Sequence, residues 1–256
     1  MPGNSKKIAI VEPHYDDAWL NLGGFILLHP QYEFCIISIA EDKKNRLNET
    51  EKLSKLLPNV QTFALHFQGI PWDFQGSGEE AIRKFCVKNS LNSLDDLIEP
   101  LEPLIAGCDE VILPLGMEHP QHYIVSQIPL QKSNAIVAFY REFPYFFPPR
   151  LSAFKGKFLA IQNKLYHAKT LKKRLCGLKA KKISIKSCLK QKLEILKDVY
   201  QSQSLLINNV RRGLRGAISI SSLQDEVIFY PGERGSSVRL PWYRVFGYEF
   251  FTSQII

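Results

Sequence analysis

Five residues in two distant stretches have the types and spacing for hydrolytic chemistry. Near the start of the chain, His14 and Asp17 lie three apart within Pro13-His14-Tyr15-Asp16-Asp17. Across a tight turn they can offer one imidazole nitrogen and one carboxylate oxygen to a common cation. Zinc accepts both donors, and a catalytic zinc commonly takes three protein ligands and keeps one position open for water. Asp16 is then a second carboxylate beside the metal, placed to take a proton from that water. The second stretch is Gly116-Met117-Glu118-His119-Pro120-Gln121-His122. On the first turn of a helix, residues three apart such as His119 and His122 share a face. His122 can supply a third ligand there, and His119 can approach a substrate carbonyl. A plainer reading of the first stretch is also open: Asp16 or Asp17 caps the following helix, and His14 is a loop histidine.

Both stretches stand where a strand hands over to another element. Residues 7–11 read Lys-Ile-Ala-Ile-Val, a short β-branched run suited to a buried strand, and residues 110–115 repeat the pattern as Glu-Val-Ile-Leu-Pro-Leu. After the first, Trp19, Leu20, Leu22, Phe25, Ile26 and Leu28 recur at helical spacing. Further strands are expected at 32–40, 60–67 and 135–140, with helices at 49–57, 79–88 and 94–105, the last broken by Pro100 and Pro103. The polar segment 41–48 reads as a loop. This alternation predicts an α/β fold of Rossmann-like type, a mostly parallel sheet with helices on both faces in one domain. Ligands in such sheets bind at the carboxyl ends of the strands.

The motifs bear a family likeness. His14-Tyr15-Asp16-Asp17 followed by Gly23-Gly24, with the later His119-x-x-His122, resembles the LmbE-like or PIG-L-like zinc N-deacetylases, which remove acetyl groups from N-acetylglucosamine-type sugars. Ile183-Ser184-Ile185 leading to Tyr200-Gln201-Ser202-Gln203 is similar to a later strand and helix of that family. The resemblance implies zinc on His14, Asp17 and His122, a general base at Asp16, and His119 assisting the oxyanion or the leaving amine. It also implies substrate contacts from Arg46, Tyr140 and Glu142. Trp72, in an aromatic loop at 69–78, is a candidate wall for a sugar. Three positions depart from the family pattern: Tyr15 replaces a small residue or Pro, Ala18 replaces a Glu, and Gln121 replaces an Asp. An amide at 121 would fix a histidine tautomer more weakly than a carboxylate. The departures leave room for a slower enzyme, a hydrolase for another acyl group, or a non-catalytic glycan or membrane-surface binder.

The remaining features bound the function. The 256 residues carry a net charge of +8, yet the 13 Lys and Arg between 155 and 192 exceed that total, so the rest of the chain is net acidic. Within the basic stretch Ile161, Leu165, Ala168, Leu171, Leu175 and Leu178 keep helical spacing, which reads as a basic helix in an insertion at 149–182. Such an arm suits a membrane surface or a phosphate-bearing glycan carrier. Nucleic acid is disfavoured, because no recognition motif accompanies the charge. The five cysteines are odd in number and form no Cys-x-x-Cys pair, so they read as reduced. The first residues lack the apolar core of a signal peptide, an expectation of cytoplasmic location. No Gly-x-Gly-x-x-Gly, Gly-x-Ser-x-Gly or P-loop pattern points to dinucleotide, serine-hydrolase or nucleotide-triphosphate chemistry. Edge strands are expected at 227–230 and 243–250, and a helix at 191–203.

Overall fold

A computed structural model describes residues 5–41, 44–71, 74, 76–116, 119–130, 135–142, 175, 177–201 and 225–231. Seven strands form one sheet: β1 (Lys7–Glu12), β2 (Glu33–Glu41), β3 (Val60–Gln68), β4 (Glu110–Pro114), β5 (Ile136–Tyr140), β6 (Leu178–Ser184) and β7 (Asp225–Pro231). Their order is β3-β2-β1-β4-β5-β7-β6. The first five are mutually parallel, and β7 runs antiparallel to both β5 and β6. The helices are α1 (Asp17–Leu28), α2 (Lys44–Leu56), α3 (Gly78–Lys88), α4 (Ile98–Ile105), α5 (Pro120–Ser126) and α6 (Leu189–Val199).

Strand alternation builds two cores. Ile8, Ile10, Ile36 and Ile112 face α1, α2 and α6, where Trp19, Phe25, Leu53 and Leu196 are buried. Ala9, Val11, Ile37, Val111 and Leu113 face α3, α4 and α5, where Phe85, Leu101 and Ile124 are buried. Because both faces are covered, the interiors of the central strands are apolar, with charged residues only at their ends. From β1 the chain adds strands outward through β2 to β3, then returns to place β4 on the other side of β1. The carboxyl ends of β1 and β4 therefore flank the point where the strand order reverses, the crevice such sheets use for ligands.

Helix α1 is set by an unusual contact. A Cβ on Gly24 would lie 2.4 Å from Ile185 Cγ2, so only glycine lets the helix come this close. In an uninterrupted helix the Leu20 carbonyl would accept from Gly24 N–H. Here Lys192 Nζ donates to Leu20 O at 2.8 Å and to Glu226 Oε1 at 2.6 Å. Glu226 in turn accepts from Gly24 N–H at 2.8 Å and Phe25 N–H at 2.6 Å. A buried ion pair from α6 and β7 is thus wedged into the side of α1, the kind of insertion that bends helices.

Several expectations are corrected. Helix α2 begins at Lys44, inside the segment read as a loop: it has no Gly or Pro, and a mostly solvent-facing helix needs few apolar residues. Arg46 lies in α2. The 94–105 segment holds as a 3₁₀ turn, Leu94–Leu97, running into α4. Pro100 sits in the first turn, where its missing N–H costs nothing, and Pro103 is tolerated in so short a helix. Strand β7 is interior, not an edge. The edge is β6, whose Lys179, Lys181 and Lys182 are exposed, charges that guard against edge pairing. Leu178, placed in the basic helical stripe, instead opens β6, and residues 178–182 of the expected insertion run in this strand. The rest of that stripe except Leu175 lies outside the described residues, as does 243–250. Helix α6 spans Leu189–Val199 and not 191–203. Among the described residues no helix is long and apolar enough to cross a membrane.

The wedged pair carries a stability prediction. Lys192→Met strands a buried carboxylate and is expected to cost about 3–5 kcal/mol in urea unfolding. Lys192→Met with Glu226→Leu should recover part of that loss, since Leu20 O and Gly24 N–H can then bond each other. A double variant no more stable than the single would contradict the wedge.

Candidate metal centre

The end of β1 turns sharply at Pro13. Ala40 N–H donates to Pro13 O at 3.1 Å, anchoring the turn to β2, and Asp17 N–H donates to His14 O at 3.2 Å, closing it. Asp16 occupies the N-cap position of α1 but its side chain makes no capping hydrogen bond. Asp17 is the first helical residue, with its carboxylate turned back over the loop. One of its oxygens, Oδ2, accepts from His14 N–H at 3.1 Å and lies 3.0 Å from His14 Nδ1.

The neighbouring strand supplies the third donor. After β4, Gly116 takes φ 84°, a conformation glycine adopts without strain, and α5 begins with Pro120. His122, on the first turn of α5, is fully buried and places Nε2 3.3 Å from Asp17 Oδ2. One donor atom from each of His14, Asp17 and His122 lies within 4.8 Å of the others. The two remote stretches thus converge. The side chains of His14, His119 and His122 crowd one spot, with ring centroids 4.9, 5.5 and 5.2 Å apart.

The surrounding groups fix each ring. Glu142, just beyond β5, is fully buried behind His122, where a hydrogen bond of 2.9 Å links its Oε1 to Nδ1. The same oxygen accepts from Gly116 N–H at 3.1 Å. With Nδ1 engaged by a carboxylate, Nε2 is held facing Asp17, where its proton can be exchanged for a cation. Glu142 therefore orients His122. His119 caps α5, its Nδ1 accepting from Gln121 N–H at 3.2 Å. That bond assigns the ring proton to Nε2. The Gln121 side chain is turned elsewhere: its Oε1 accepts from Ile70 N–H at 3.1 Å, tying down the segment after β3. The carboxylate missing at 121 is thus not needed for tautomer control, which falls to Glu142 and to a backbone amide.

The charges follow this arrangement. Burial works to raise the Asp17 carboxyl, but His122 and His14 beside it hold it well below the usual carboxylate range. Burial works against a charged His122, yet Asp17 and Glu142 push its pKa up to about 10. Burial and the neighbouring rings of His14 and His122 push His119 down to about 3, so that it is neutral. Two imidazoles and one carboxylate, largely buried and with the outer nitrogen of His122 oriented by Glu142, are a donor set that fits a divalent cation such as zinc with an open position.

Glu12, the last residue of β1, passed unremarked in the sequence. It is 1% exposed, and its carboxylate accepts from Ala18 N–H at 2.7 Å and Ser38 Oγ–H at 2.5 Å. The one hint was a lone Glu closing an apolar strand. Tyr140 ends β5 fully buried, and among the described residues its hydroxyl has no hydrogen-bond partner. The side chain of Arg46, and Trp72 altogether, lie outside the described residues.

No protein-family model matches the sequence, and no curated protein matches it either. Solved structures do. A triple mutant of the deacetylase of teicoplanin biosynthesis, Orf2*T, superposes with a TM-score of 0.58 at 15% identity, over 91% of this chain and 100% of that one. The zinc-inhibited form of teicoplanin deacetylase Orf2 gives 0.56 at 14% identity, over 88% and 97%. The A40926 pseudoaglycone deacetylase Dbv21 gives 0.53 at 12%, over 88% and 96%. The chain shares the fold of these deacetylases, and the resemblance read from its motifs agrees with them at that level.

Because Glu142 orients His122, its removal should be felt by any bound cation. Glu142→Ala is expected to weaken zinc binding about 10- to 100-fold, measured by competition with a chromophoric chelator. Unchanged affinity would separate Glu142 from the centre.

Proposed function

We propose that the protein is a metal-dependent hydrolase that removes an N-acetyl group from an amino sugar or sugar conjugate. The observation that carries this reading is the convergence of His14, Asp17 and His122 at the crevice between β1 and β4, with the His119 ring beside them. Deacetylases with the same fold, one of them described in complex with teicoplanin, add support.

His14, Asp17 and His122 would hold zinc. When bound, zinc supplies a Lewis acid for the amide carbonyl and a water of lowered pKa. The carboxylate of Asp16 takes the proton from the attacking water. His119, neutral and carrying its proton on Nε2, donates a hydrogen bond to the oxygen that gains charge as the carbonyl becomes tetrahedral. It does this as a neutral imidazole. The proton taken by Asp16 passes to the departing nitrogen, and the products are free amine and acetate. Glu142 keeps His122 in its ligating orientation throughout.

The decisive experiment is acetate release from a panel of N-acetylated sugar conjugates, with and without a chelator. Asp16→Asn should retain metal and lose about 10²- to 10⁴-fold in turnover, the span typical of a general base. Asp17→Ala should lose the metal itself. Release of a longer acyl chain in preference to acetyl would redirect the reading to a different amide substrate. Chelator-insensitive turnover, or an Asp16→Asn variant as active as the parent, would contradict it.

A further inference from the structure

We propose that Glu12 is a positioning residue for Asp16: it caps α1 from the end of β1, and so keeps the Asp16 carboxylate out of the cap. The inference rests on the proposed hydrolysis for its consequence, but on hydrogen bonding for its evidence.

Aspartate at an N-cap ordinarily bonds the second or third backbone N–H of its own helix, and losing such a bond costs about 1 kcal/mol. Asp16 stands at this position and does not do so. Its φ of −125° and ψ of −11° depart from the extended geometry usual for a cap. The second N–H, from Ala18, goes instead to Glu12 Oε2 at 2.7 Å.

Glu12 is itself held from the far side. Strands β1 and β2 pair Glu12 with Ser38, and Ser38 Oγ–H donates to Glu12 Oε1 at 2.5 Å. Both residues are buried, so no water competes for these bonds. The carboxylate therefore bridges two adjacent strands and the start of the helix that carries Asp17. A side chain that caps a helix has an oxygen committed to that helix and cannot also be held against an attacking water. By taking the cap, Glu12 separates the two tasks. Ala18 is too short to offer any carboxylate of its own, although the motif it resembles has a Glu at that position.

The test combines thermal unfolding with kinetics on the full-length protein. With Glu12 removed, Asp16 at the N-cap position can take Ala18 N–H in its place. Asp16→Ala should therefore lower Tm more in a Glu12→Ala background than in the parent; equal losses overturn the proposal. In acetate release, Glu12→Ala should lose about ten- to a hundredfold in kcat, as expected of a misplaced catalytic group, with KM and metal content near those of the parent. Glu12→Gln should recover most of this, because its amide oxygen can accept from Ala18 N–H while its NH2 donates to Ser38 Oγ. A folded, metal-loaded Glu12→Ala with parental kcat, or a Glu12→Gln as slow as Glu12→Ala, overturns the proposal. Should Glu12→Ala fail to fold, Ser38→Ala is expected to lower kcat several-fold at unchanged metal content, and no loss there overturns it. A parent protein inactive on every substrate would instead overturn the proposed function, and the Tm comparison would still decide the role of Glu12.

Discussion

A carboxylate buried at a strand end must be compensated, and around Asp17 that requirement organises the site. A lone charge out of water is too costly to keep. Asp17 meets the demand with three partners: the backbone N–H of His14, the His14 ring and the His122 ring. Two of these come from its own loop and one from α5 on the far side of the crevice, so compensation also fastens α5 to the start of α1. A proton on His122 and a divalent cation are alternative countercharges for the same oxygen. Metal uptake at such a centre is an exchange of one for the other.

The outer nitrogens show a second economy. Each histidine of α5 has one ring nitrogen engaged by a fixed group, Glu142 for His122 and the Gln121 backbone for His119. The inward nitrogens are then left with different roles: Nε2 of His122 takes a proton or a cation beside Asp17, and His119 keeps its proton on Nε2. Gln121 sits between the two rings yet serves neither through its side chain, which holds the segment at Ile70. At this position the amide side chain anchors the segment at Ile70, while the two imidazoles are held by other groups.

Much of this was legible in the sequence, for identifiable reasons. His14, Asp17 and His122 stood out because each follows an apolar β-branched strand, and strand ends in such sheets share an edge. The fold followed from the alternation of strand and helix. Glu142 was noticed, but not its place behind His122, which depends on β5 lying next to β4. Glu12 was invisible as a functional residue because its partners, Ala18 and Ser38, are brought to it by the turn and by the β2 register. The start of α2 was missed because a polar helix leaves no periodic trace. The interior position of β7 depends on an antiparallel pairing order that no local pattern encodes.

The ion pair wedged into α1 has a temporal consequence. Glu226 follows Gly24 by 202 residues. During synthesis, a chain that has emerged only as far as α6 has Lys192 but not its acidic partner. Until it arrives, Gly24 N–H and Phe25 N–H lack the Glu226 carboxylate that they meet in the folded protein. Those amides gain their carboxylate only when β7 enters between β5 and β6. One turn of the earliest helix thus owes its hydrogen bonding to a strand made some two hundred residues later.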